Sequence, residues 1–80
     1  MIRHINKHTW VRIRSKRDHI IKHLDWEYNR NAREKRLSLT PTRTNAWMHQ
    51  LDLYIQALAD LPRDQAGTHP RDIIWPTKPE

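Results

Sequence analysis

Between Thr40 and Pro62 the chain reads TPTRTNAWMHQLDLYIQALADLP, with apolar residues at Trp47, Leu51, Tyr54, Leu58 and Leu61. Steps of four and three put all five on one side of a helix. Thr40 is a good N-cap and Pro41 a good first helical residue, since an amide hydrogen there would lack a partner anyway. Pro62 predicts the stop, because it has no amide hydrogen and disfavours helical geometry at Leu61. Alone in water, a helix with so broad an apolar face is only marginally stable. It requires a surface to pack on, and 80 residues allow one small domain to provide it.

The partner surface lies upstream. Trp10, Ile13, Ile20, Ile21 and Leu24 line one face of a helix over about 10–24, with Thr9 as its cap. Arg12, Lys16, His19 and His23 collect on the opposite, solvent-facing side. Arg17 falls inside the apolar stripe, so it either snorkels past it or meets a carboxylate. Asp25-Trp26 closes the segment, and EYNRNAREKR (Glu27 to Arg36) reads as a linker or an exposed helical extension. Two helices joined this way make an antiparallel hairpin in which the stripes cover each other.

Met48, Ile55 and Ala59 widen the second stripe on one flank, which calls for a further covering segment. After the turn-like run RDQAGTHPRD, the chain continues as IIWPTKPE. Two prolines and a pre-proline tryptophan favour an extended, polyproline-like segment. Trp75 is expected against the second helix near Tyr54, Ile55 or Leu58; the alternative is its presentation to a partner. The expected fold is all-α: a small helical hairpin over residues 10–80, with helices at about 10–24 and 41–61. An extended Trp-Pro segment at 70–80 packs back on it, and residues 1–9 form a basic arm.

Several function classes are excluded on chemistry. There is no cysteine, so disulfides and thiolate metal sites do not arise. His4 and His8, and separately His19 and His23, have i,i+4 spacing, but no further ligand completes either pair, and neither a metal nor a cofactor is expected. No serine or threonine has a nucleophile's context, no glycine-rich loop is present, and a chain this small hardly encloses a water-excluding site. Catalysis is not expected. No apolar run approaches a membrane span, and Met1 to Thr9 lacks the apolar core of a signal peptide, so a cytoplasmic location is expected.

What remains is binding. Residues 1–36 carry eleven Lys and Arg against four acids, whereas residues 37–80 carry four against five. The surplus of positive charge therefore lies in the first half, where it suits an acidic protein partner or nucleic acid. No tight helix-turn-helix turn accompanies it. The apolar candidates for partner contact are Trp47, Met48, Ile55 and Trp75.

Three short blocks resemble the motifs of a family of small phage tail assembly chaperones. The first is Arg17-Asp18, an apolar pair, then Asp25-Trp26. The second is Tyr54, Gln56, Ala57, Leu58, Asp60, Leu61 and Pro62. The third is an apolar residue before Trp75-Pro76. They stand in the family's order and span residues 17–79. Where the family carries arginines beside the tyrosine and the leucine, this chain has Ile55 and Ala59. The resemblance implies a non-enzymatic helper that binds a tail, tail-fibre or baseplate protein during virion assembly in the host cytoplasm. It leaves open the identity of that protein, the oligomeric state and retention in the finished tail. The alternative is a small basic nucleic-acid-binding protein.

Overall fold

The computed structural model describes residues 9–80. They form α1 (Trp10–His23), α2 (Asp25–Arg36), α3 (Asn45–Asp64) and a short 3-10 turn at Pro70–Asp72, with no strand among the described residues. The basic arm read over residues 1–9 lies outside the described residues except for Thr9. The Thr9 hydroxyl oxygen accepts from the Arg12 N–H at 3.2 Å and caps α1.

The first two helices are nearly one, bent at Leu24. There the Leu24 N–H bonds the Ile21 carbonyl at 3.2 Å and the Glu27 N–H bonds the Leu24 carbonyl at 3.0 Å, so the turn tightens locally. The acids Asp25 and Glu27 then fall in the first turn of α2, which favours restarting a helix. The bend also buries Leu24 and brings Tyr28 against α3. The stretch Glu27 to Arg36 is thus the helical extension, not the linker.

The C-terminus of α2 closes in a Schellman arrangement. Leu39 N–H reaches the Glu34 carbonyl at 2.9 Å and Ser38 N–H the Lys35 carbonyl at 3.1 Å. Ser38 is left-handed at φ 57°, a conformation that disfavours any side chain with a Cβ. Ser38→Gly is therefore expected to stabilise the protein by about 1 kcal/mol; urea denaturation checks it, and a lower midpoint would contradict it.

Helix α3 starts later than Thr40-Pro41 predicts, at Asn45, with Thr44 Oγ1 accepting from the Trp47 N–H at 3.1 Å. The reason is tertiary. Thr42 gives its backbone N–H and its hydroxyl to the Glu34 carboxylate, at 3.0 and 2.7 Å, which draws the TPTRT segment back across α2. At the other end Pro62 does not stop the helix. It sits in the last turn, where only its own amide bond is lost; Gln65 N–H still bonds the Leu61 carbonyl at 3.0 Å, and Leu61 is buried.

Leu24, at the end of α1, packs with Met48 and Leu51 from the first half of α3, so the hairpin is antiparallel. Ile20, Tyr28, Trp47, Tyr54 and Ile55 pack around that cluster, and Ile13, Leu58 and Leu61 are also buried. The flank carrying Met48 and Ile55 is covered by the bend at Leu24 and by Tyr28, whose hydroxyl donates to Asp52 Oδ1 at 2.7 Å. Burial, and then the hydrogen bond to Asp52 and its charge, push the Tyr28 hydroxyl above the ordinary tyrosine range.

Polar ties secure α2. Glu27 is 2% exposed, and its carboxylate is paired with Arg30 and, at 3.2 Å, with Arg43 Nε. Asn31, a turn further on, is buried with its Nδ2 unpartnered among the described residues. Hydrogen bonds from the Thr42 backbone and then its hydroxyl hold the Glu34 carboxyl below the ordinary glutamate value. A lowered carboxyl stabilises the fold above its unfolded pKa, and that contribution is lost as pH falls through the folded value. Glu34→Gln should accordingly flatten the acid limb of stability below about pH 4.3; an unchanged pH profile would remove Glu34 from the tie.

Candidate functional site

The returning segment builds the surface of interest. His69 Nδ1 accepts from the Arg71 N–H at 3.2 Å and starts the 3-10 turn. The Gln65 side-chain amide then grips Ile74 from both sides, donating to its carbonyl at 2.7 Å and accepting from its N–H at 3.0 Å. Further along, the Trp47 indole N–H donates to the Glu80 backbone oxygen at 2.6 Å. The segment is a strap fixed at two points on α3. In extended chain successive side chains face opposite ways. With Ile74 held by its backbone, its side chain points outward, 78% exposed, and Trp75 turns inward.

One face of the ring meets α1, where Lys16 Nζ stands 4.6 Å from its centre, and the next residue, Pro76, lines a groove with Tyr54 and Ala57. The strap covers α3 with Pro76 to Glu80, over a groove of about 540 Å³ lined by Trp47, Leu53, Tyr54 and Ala57. This is the flank opposite Met48 and Ile55. Burial raises the Tyr54 hydroxyl above its ordinary value.

Three of the four tryptophans share one arrangement. Arg43 lies 4.0 Å from the Trp47 ring centre, Arg30 4.7 Å from Trp26, and Lys16 caps Trp75. None of the three is fully buried. They act as cation-capped clamps on the surface, and the buried core consists of four leucines with Ile13 and Met48. Arg43 links two clamps, because it also pairs with the buried Glu27.

Of the four residues read as partner contacts, Trp47, Ile55 and Trp75 are half-buried. Met48 is not available: at 9% exposure it belongs to the core with Leu24 and Leu51, because the bend at Leu24 covers its flank. The exposed apolar side chains are Val11, Trp26, Leu37, Leu39, Leu53 and Ile74. Leu53 and Ile74 were invisible as a pair in the sequence. Leu53 lies off the helical stripe, the one signal that marked it, and Ile74 acquires its outward aspect only from the Gln65 grip.

The motif residues divide. Tyr54, Ala57 and Pro76 meet at the strap groove, and Leu58 and Leu61 support it from the core. Gln56 donates to both Asp60 carboxylate oxygens at 3.1 Å on the outer face of α3. Arg17, Asp18, Asp25 and Trp26 stand apart, on α1 and at the start of α2. Arg17 pairs with Asp18 at 2.9 Å with its own side chain mostly covered, so it both snorkels and meets a carboxylate.

His19 and His23 stack with ring centres 5.9 Å apart. Among the described residues no three His, Asp or Glu side chains gather to hold a metal ion; His4 and His8 lie outside them. Nor is any described helix long and apolar enough to cross a membrane. The arrangement offers apolar and cationic surface.

A family model described as phage tail assembly chaperone protein matches residues 10–80. No curated protein and no solved structure matches the chain.

Proposed function

The chain belongs to the phage tail assembly chaperone family, and on that premise we propose that it acts by binding, without catalysis, holding a tail, tail-fibre or baseplate protein in the host cytoplasm while the tail is built. The contact surface runs along the strap, with Trp47 and Trp75 as half-buried anchors and Leu53 and Ile74 exposed; Ile55, packed against the Leu24, Met48 and Leu51 cluster on the opposite flank, lies outside it. The observation that supports this most directly is the exposure of Leu53 and Ile74, 52% and 78%, the first lining the groove under the strap and the second on the strap itself where Gln65 fixes it. Large apolar side chains kept in water next to rigid aromatics are what an interface uses as anchors. Met48 contributes from behind, by holding α3 in place.

Charge has a separate role. The exposed face of α1 steers an acidic partner and so sets how fast the complex forms; the apolar anchors set how long it lasts. Co-expression with the neighbouring tail gene, followed by purification in high salt, tests the proposal. Retention of the tail protein in high salt supports it, because apolar contacts resist screening. Loss of that protein, with nucleic acid retained at low salt, overturns it in favour of the nucleic-acid alternative, whose affinity falls steeply with salt. Mass spectrometry of purified particles decides whether the chaperone stays in the virion tail.

A further inference from the structure

Arg12 and Lys16 stand one turn apart on the exposed face of α1, and Arg71 approaches from the Pro70–Asp72 turn. Between the two elements runs a groove of about 790 Å³ that these three cations line together with His19 and Trp75. Its lining includes no carboxylate among the described residues. None of the three cations forms an ion pair among the described residues, although most acids elsewhere do. Arg30 and Arg43, by contrast, are already committed to Glu27. Cations gathered around one concavity repel each other, and an anion seated there relieves the repulsion.

We infer that this groove takes an extended acidic segment of the protein the chaperone holds. Its carboxylates bind Arg12, Lys16 and Arg71, and an apolar side chain between them packs against the edge of the Trp75 ring, whose face Lys16 covers. The inference builds on the proposed function and adds the chemistry of the recognised segment. Three cations are few for a polyphosphate, whose binding grows with each phosphate neutralised. Lys16 also stands over the Trp75 ring, so a stacking base would have to displace it, whereas a carboxylate binds that ammonium in place.

The test uses the full chain and two labelled probes of equal charge: a glutamate-rich peptide with a central leucine, and an oligothymidylate. The peptide is expected to shift the Trp75 indole N–H signal in an NMR titration. Replacing Arg12, Lys16 and Arg71 with glutamate should weaken it by about tenfold or more, the scale for three exposed charge contacts. The same reversal at Lys22, Lys35 and Arg36 changes net charge equally and should leave the groove's affinity within about twofold. Equal losses in the two variants, or tighter binding of the oligothymidylate, overturn the inference. A tail protein that co-purifies undiminished with the Arg12/Lys16/Arg71 variant in low salt sinks the groove but not the chaperone. A peptide that binds as described while no tail protein is retained by the parent chain sinks the chaperone but not the groove.

Discussion

Leu51→Ala is expected to lower the stability of the protein by about 3–4 kcal/mol, the range for truncating a fully buried leucine that leaves a cavity. Leu51 has no exposed surface and sits between Leu24 and Met48, inside the ring formed by Ile20, Tyr28, Trp47, Tyr54 and Ile55. A domain of this size has only about 4–12 kcal/mol in hand. The substitution therefore removes a large share of it and should lower the melting temperature by roughly 12–30 °C. Leu53→Ala, on the opposite side of the same helix and half exposed, should change stability by about 0.5 kcal/mol or less. Circular dichroism melts of the two variants separate the cases. If Leu51→Ala melts within a few degrees of the parent, α1 and α3 are not packed through this cluster.

The contrast follows from how the chain spends its large side chains. Buried apolar residues among those described are Ile13, Leu24, Met48, Leu51, Leu58 and Leu61; no tryptophan is among them. Trp26, Trp47 and Trp75 each meet a cation instead, and Trp47 is clamped a second time by its bond to the Glu80 backbone. Aromatic area that a small core would ordinarily take in thus stays near the surface, where a partner can use it. The long-range polar ties serve the same end. Glu27 with Arg43, Glu34 with Thr42, and Tyr28 with Asp52 fix α2 and its loop without needing apolar surface from them.

The core face of α3 was legible because Trp47, Leu51, Tyr54, Leu58 and Leu61 repeat with the helical period, and α1 was legible for the same reason. Where α3 begins was not. TPTRT offers three threonines as caps, and the choice among them is made by Glu34, eight residues upstream of Thr42 and on another helix. The helical state of residues 25–36 was half visible, since its acids lead and its bases trail, but what secures it comes from Arg43 and Asp52. The meeting of Trp75 with Lys16 of α1 was not legible, because nothing local fixes which way an extended residue faces. The grip of Gln65 on Ile74 does so across nine positions. Ser38 hid the end of α2, because that left-handed position is one where glycine would have announced it.

The functional consequence rests on the surface left uncovered. Leu53→Asp together with Ile74→Asp is expected to weaken binding of the tail protein by about a hundredfold, the scale for losing two interface anchors whose effects are not fully additive. Neither side chain is needed by the core, so helical content should match the parent and stability should move by about 0.5 kcal/mol or less at each site. Met48→Asp cannot serve as this test, because it would place a charge in the core and unfold the hairpin. The matched control is Leu37→Asp with Leu39→Asp, equally exposed apolar residues in the loop after α2. That pair should leave binding within about threefold of the parent, as scattered surface residues do. Co-purification in high salt reads the difference, since screening removes the steering by α1 and leaves the apolar contacts. If the loop pair abolishes retention and the strap pair does not, the docking surface is the α2–α3 loop and the strap serves the fold alone.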